Sequence, residues 1–401
     1  MDSGVKVIAS GTVTSPQGFL AGAVQSGIKN KRGLDLAVLY SEEPCVAAGA
    51  FTTNAIKAAS IVLSRRHLQN RNAQAIVVNS GCANVCTGDS GMADAEEMAS
   101  LVAGKLGISP GDTLVASTGV IGVSLPMERI RDGIRKITLT REGGHELARA
   151  MLTTDTFAKE IAVFVEAKPS GFTIGGVAKG AGMIHPDMAT MLCFLTTDAA
   201  VDADFLQVAL QRAVDASFNM VTVDGDTSPS DTVVLLANGL AQTETINDRN
   251  GEAFREALDE ACLYLAKCVV RDGEGATKLI EVAVEGALTE AEARLAARTI
   301  AGSPLVKAAI HGNDPNWGRI VAALGRSGAE VAETKLNVYL NNVCVMKQGC
   351  PVPFDKQKVS ASLGDKEVFL RLTLNLGTGR ATAWGCDLSE EYVTINSDYT
   401  T

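Results

Sequence analysis

The stretch from Gln74 to Ile137 most narrows what this chain can fold into. QAIVVNSG (74–81) is an apolar run ending in a glycine turn, the pattern of a buried strand. DSGMADAEEMASLVAGKLG (89–107) carries a helical pattern, with Asp89 or Ser90 as the expected cap and Gly107 as the stop. TLVASTGVIG (113–122) returns to a strand that runs into a glycine loop, and Met127, Ile130, Ile134 and Ile137 then recur at helical spacing. Strands alternating with helices predict an α/β or α+β architecture.

The alternation continues downstream. Residues 161–197 read as two or three strands around the glycine-rich 175–182, and DADFLQVALQRAVDAS (202–217) puts Leu206, Ala209, Leu210 and Ala213 on one helical face. A second helix is expected over about 251–268, and a strand at LIEVAVEGA (279–287). TEAEARLAARTIAG reads as a connecting helix into a C-terminal lobe with strands at LNVYLNNVCVM and EVFLRLTLNLG. A chain of 401 residues exceeds the usual size of one core. The expected division is a catalytic core, 1–285, and a smaller C-terminal α/β lobe, 286–401.

Composition excludes several classes. With 46% hydrophobic and 20% charged residues the chain can bury a full core, which excludes disorder. A net charge of -10 argues against a nucleic-acid surface. No run approaches the ~18 apolar residues of a membrane span, and MDSGVKVIASGTVTSPQGFLAG lacks the charged-then-apolar order of a signal peptide. A cytoplasmic protein is expected. The nine cysteines are an odd number spread through a large chain and read as reduced thiols. Cys82 and Cys86 have no second pair placed to complete a zinc site, so packing is expected and no metal.

Motif chemistry is sparse. There is no phosphate loop, HExxH, GxSxG elbow or dinucleotide fingerprint, and the four histidines leave few candidates for a histidine-dependent triad. DGDTSPSD (224–231) lacks calcium-loop spacing and reads as a self-bonded turn. The open feature is Thr190, set in KGAGMIHPDMATMLCFLTTDAA (179–200) where a Gly, His and Pro loop meets a buried strand. A threonine there needs no special role, since it packs well in a strand and bonds nearby backbone. A second reading is chemical. If the Ala189–Thr190 bond is cut, the α-amine of Thr190, titrating near ~7.7–8.0, can act as the base for its own Oγ.

KGAGMIHPDMATML resembles the self-cleavage signature of the ornithine acetyltransferase (glutamate N-acetyltransferase) family. AGAFTTN (48–54), NSGCANVCTG (79–88), ASTGVIG (116–122), TTDTFAK (153–159), VDGDTSPSDT (223–232), GEGATKLI (273–280), HGNDPNWGRI (311–320) and INSDYTT at the end are similar to that family in the same order. The resemblance implies cleavage between Ala189 and Thr190, with Thr190 as nucleophile and Thr118 and Gly119 as oxyanion hole. It implies substrate contacts from Thr154, Lys179, Thr190, Glu274, Asn396 and Thr401; Thr153 is an equal candidate for the place of Thr154. The implied reaction passes acetyl from N2-acetylornithine to glutamate through an acetyl-Thr190 ester. It needs no cofactor, although some members also accept acetyl-CoA as donor. The implied fold is a layered α/β sandwich of β-sheets flanked by helices, and the implied assembly holds two copies of each cleaved chain. Asp187 departs from the asparagine expected there and bears on the cleavage rate. Two rivals remain: a related self-processing aminopeptidase or amidase that passes its acyl group to water, and a binding or scaffold protein that is never cut.

Overall fold

The apolar run after Thr190 forms the middle of a sheet. Leu192–Thr197 is buried at every position because both of its faces are covered: Cys193 and Leu195 point into one hydrophobic cluster, Leu192 and Phe194 into another. The computed structural model describes residues 4–29, 33–167, 170–185 and 191–398. Among these, the strands form two sheets, of nine and seven strands, flanked and separated by helices.

The larger sheet contains β1 (Val5–Val7), β2 (Phe19–Val24), β3 (Leu36–Phe51), β4 (Asn72–Cys82), β5 (Thr113–Val120), β6 (Lys159–Val165), β7 (Phe172–Lys179) and β8 (Leu192–Thr197). Beyond β9 (Val221–Thr222), which belongs to the other sheet, it adds β10 (Thr232–Ala237). The order is β1-β6-β7-β8-β10-β3-β4-β5, with β2 paired to β3. Lys159 pairs with Ala178, Lys179 with Leu192, and Leu192 with Thr232. The starts of β6, β8 and β10 and the end of β7 therefore meet at one end of the sheet. Every charge described below at these positions follows from that register.

The smaller sheet joins β9 to β11 (Leu279–Ala287), β12 (Asn337–Leu340), β13 (Val343–Lys347), β14 (Cys350–Pro351), β15 (Glu367–Thr373) and β16 (Gly379–Cys386). Helices Ala203–Ala216 and Glu252–Arg271 link the sheets: Leu210 and Leu265 share one core with Leu195 of β8 and Val282 of β11. Asp202 caps the first of them, accepting the N–H groups of Asp204 and Phe205 at 3.0 Å each. The helix expected as a connector, Glu290–Ala301, instead lies flat on β11 and β16, burying Ala293, Ala296, Ala297 and Ile300. The boundary expected near residue 285 falls inside β11. The helix expected to be capped by Asp89 or Ser90 starts at Gly88 after Thr87, with no side-chain cap; Gly107 ends it at φ +73° as expected. No helix among the described residues is long and apolar enough to cross a membrane.

Candidate active site

Thr118, Gly119, Thr154, Lys179, Glu274 and Asn396 line a single cavity of about 80 Å3. They arrive from the end of β5, the loop before β6, the end of β7, the turn after helix Glu252–Arg271 and the helix Glu390–Asp398. Ala189, Thr190 and Thr401, with Asp187, lie outside the described residues. Met191 marks where Thr190 joins: its N–H donates to Asp231 Oδ1 at 3.0 Å and its carbonyl accepts Thr232 N–H at 3.0 Å.

Glycine at 119 is a steric requirement. Its φ is +129°, and a Cβ there would stand 2.4 Å from the carbonyl carbon of Gly81 on β4. Thr118 is buried beside it, and its Oγ1 accepts Lys179 Nζ at 3.4 Å, which leaves the hydroxyl proton available to another acceptor. Lys179 also donates to Thr153 Oγ1 at 2.8 Å. Of the two adjacent threonines, Thr153 therefore holds the lysine, and both line the cavity.

Lys179 is 3% exposed, an unusual place for an ammonium. Burial lowers its pKa, and Asp155, 3.9 Å away, opposes that shift. The side chain of Asp155 is itself fully buried. Burial pushes its carboxyl up, but Lys179, Lys159 and the Gly180 N–H at 2.6 Å outweigh burial and hold it well below the usual carboxylate range. Lys159, also buried, bridges Asp155 at 2.7 Å and Asp272, so the pocket cation ends an alternating chain of four buried charges.

Glu274 forms the opposite pole. It is 8% exposed, accepts Asn396 Nδ2 at 2.7 Å, and fills the space a side chain on Gly182 would need. Its backbone N–H donates to the Ala181 carbonyl at 2.9 Å, tying it to the segment that follows Lys179. Ser230 adds a buried hydroxyl without a hydrogen-bond partner among the described residues.

Sequence reasoning missed Asp155, Lys159, Asp272, Ser230 and Asp231. TTDTFAK and VDGDTSPSDT contained four of them, but nothing local marks a charge as buried. Asp224 of the same segment is a strut for the pocket wall, accepting the Ile184 N–H at 2.9 Å and the Met183 N–H at 2.5 Å. Among the described residues no group of three or more His, Cys, Asp or Glu side chains could hold a metal. A larger, more open groove of about 930 Å3 runs past Asn313–Gly318, and none of the six pocket residues lines it.

A buried cation, a buried carboxylate and a Thr-Gly corner in one cavity suit a small substrate that carries both charges, and mark the cavity as a candidate enzyme site. The chain belongs to the ArgJ family, whose model matches residues 20–401. It is 53% identical over 405 residues to the arginine biosynthesis bifunctional protein ArgJ of Dehalococcoides mccartyi, covering 100% of each chain. It is 52% identical over 398 residues to the protein of the same name from Symbiobacterium thermophilum, covering 98% of this chain and 99% of that one. The crystal structure of the arginine biosynthesis bifunctional protein argJ from Bacillus halodurans is similar at a TM-score of 0.50 and 46% identity. That match covers 98% of the solved chain but 51% of this one.

Proposed function

We propose that this cavity transfers acetyl from N2-acetylornithine to glutamate, with Thr190 as nucleophile. The observation that carries the reading is the convergence of Thr118, Gly119, Lys179 and Glu274 on one cavity, with Lys179 paired in the sheet to Leu192, two residues after Thr190 in the chain. Thr190 Oγ attacks the acetamide carbonyl while its α-amine takes the hydroxyl proton. The developing oxyanion rests on the Thr118 hydroxyl and the Gly119 N–H, an interaction whose loss typically costs ~10²–10³ in turnover. The C–N bond breaks, the proton passes to the leaving amine, and ornithine departs from an acetyl-Thr190 ester. The amine of glutamate then attacks that ester, the carbonyl–Oγ bond breaks, and the proton lost by the glutamate amine returns through the Thr190 α-amine to Oγ, giving N-acetylglutamate and free Thr190. Lys179 meets the substrate carboxylate and Glu274 the side-chain ammonium of ornithine. Burial of both poles keeps water from the ester, which separates transfer from hydrolysis.

The amine exists only after the Ala189–Thr190 bond is cut. Two observations support that step: the downstream side of the bond is anchored through both backbone groups of Met191, and a family member's solved chain, matched nearly end to end, spans about half of this one. The reading requires no cofactor; acetyl-CoA enters as an alternative donor. The two cleaved chains stay together, as two copies of each, in the cytoplasm.

Intact mass and a transfer assay test this together. Wild-type protein should appear as chains 1–189 and 190–401 and should form N-acetylglutamate faster than free acetate. Thr190→Ala should remain full length and inactive. Acetate as the main product would support the amidase reading, and an uncut wild-type chain without transfer would support the binding-protein reading.

A further inference from the structure

We propose that Asp387 is a positioning residue for the acidic pole of the pocket, joining the turn that carries Glu274 to the helix that carries Asn396, so that the site takes a substrate with a side-chain ammonium. The proposal rests on the acyl-transfer reading above, in which Glu274 meets that ammonium, and adds a residue to it.

Asp387 follows β16, and its side chain is completely buried. Its carboxylate gathers donors from the turn after helix Glu252–Arg271 and from His311. Oδ1 accepts the N–H groups of Thr277 and Lys278 at 2.8 Å each, and Oδ2 accepts the Thr277 hydroxyl at 2.6 Å. Oδ2 also meets His311 Nδ1 at 2.7 Å; a carboxylate only accepts, so Nδ1 is the donor. Burial pushes the Asp387 carboxyl up, but the Thr277 hydroxyl, His311 and the two N–H groups outweigh burial and lower its pKa, so the group is ionised at neutral pH. His311 ends the helix Pro304–His311. Lys278 Nζ donates to the carbonyls of Ile310 at 2.6 Å and His311 at 3.2 Å, which fixes that helix end against the same turn.

Both halves of the acidic pole depend on this joint. Glu274 lies in the turn just before Thr277, and Asp387 leads through Ser389 into helix Glu390–Asp398. Ser389 Oγ donates to the Gly275 carbonyl at 2.6 Å, a second tie beside the first. The fit is close: a Cβ on Gly275, whose φ is +68°, would stand 2.5 Å from the Tyr392 nitrogen. The helix has nine residues and no fully buried side chain, so neither its own length nor an apolar face holds it in place. Polar contacts do so instead, those at its start and the bond from Asn396 Nδ2 to Glu274 Oε2 at its far end. His311 Nε2 also lies 3.3 Å from Glu390 Oε2, but that carboxylate is exposed and adds little.

The two substrates separate a positioning role from a structural one. In a ping-pong cycle kcat/KM for each substrate reports its own half of the reaction. N2-acetylornithine brings an ammonium to Glu274, whereas the side chain of glutamate brings none. Asp387→Asn is isosteric but turns one acceptor oxygen into a donor, so at least one of the bonds to the turn or to His311 is lost. It should lower kcat/KM for N2-acetylornithine by about tenfold, the scale of one hydrogen bond to a charged group, and leave that for glutamate within about twofold of wild type. Ser389→Ala removes only the tie to Gly275 and should give the same selective loss at about threefold. Intact mass and circular dichroism should show both variants cut and folded like the wild type. Equal losses for the two substrates, or no loss for either, overturn the proposal. Should Asp387→Asn fail to fold, Ser389→Ala decides by the same criterion. Glu274→Gln tests the underlying reading: it should lose N2-acetylornithine selectively. If it does not, the assignment of Glu274 to the ammonium fails and the proposal with it; if it does while the Asp387 and Ser389 variants do not, the proposal alone is overturned.

Discussion

Replacing Lys159 with Met removes one cation from a buried chain of charges and leaves its neighbours exposed to one another. The side chains of Lys159, Asp155 and Asp272 are 0%, 0% and 2% exposed, so water cannot substitute for the lost ammonium. Methionine matches the length of the lysine stem and adds no polar group, which keeps the packing change small. Removing one member of a buried ion pair costs about 3–5 kcal/mol, because the partner charge remains desolvated. Here Asp155 keeps Lys179 at 3.9 Å, and Asp272 keeps the Thr156 N–H at 3.0 Å and the Thr156 hydroxyl, which favours the lower half of that range. The pH dependence follows from the sign of the Asp155 shift. Its folded pKa lies below the ordinary value of 3.8, so its contribution is complete above that value and is lost as pH falls through the folded one. Without Lys159 the folded pKa rises toward the ordinary value, so the deficit of the variant should be constant from neutral pH down to about 4 and shrink as pH falls below it. Urea unfolding followed by circular dichroism at pH 7 and at about pH 3, below the ordinary carboxylate value, measures both quantities. Adding Asp272→Asn should recover more than half of the loss at pH 7, since it removes one uncompensated charge. A loss below about 1 kcal/mol, the range of solvated surface pairs, would refute the reasoning, as would an equal deficit at both pH values.

Gly119→Ala forces a side chain into a φ of +129° and to 2.4 Å from Gly81, so the corner beside Thr118 must shift; turnover should fall by about a hundredfold, and steady-state kinetics within twofold of wild type would contradict the assignment. Thiol labelling of native protein should modify Cys86 and Cys350, which are exposed, and spare Cys45, Cys193 and Cys262 until urea is added. Burial pushes the Cys45 thiol up to about 12, which removes both access and thiolate, so rapid modification of Cys45 by mass spectrometry would count against the packing described here.

Local structure was largely legible in the sequence. Helix Ala203–Ala216 was readable from Leu206, Ala209, Leu210 and Ala213, and β4, β5 and β11 from apolar runs bounded by turns. The sixteen-residue β3 was not, because SEEP at its centre looks like a loop. It extends through that segment since β2 pairs with its first part and β10 with its last, while β4 pairs along the other edge with a register shift between Tyr40 and Cys45. Helix Glu290–Ala301 looked like a connector because its alanine face gives no sign of the sheet that buries it.

The same division holds at the site. By itself the sequence determined the family pattern, the threonine where a nucleophile is expected and the residue types for a carboxylate and an ammonium, because each rests on short spacings. Only the tertiary structure decided that Lys179, Asp155, Lys159 and Asp272 form one dry array, that Thr153 rather than Thr154 holds the lysine, and that Asp231 accepts the Met191 N–H. The physical reason is that a charge acquires its chemistry from desolvation and from its neighbours. Lys159 and Asp272 are 113 residues apart in the chain, and strand register and helix packing bring them together.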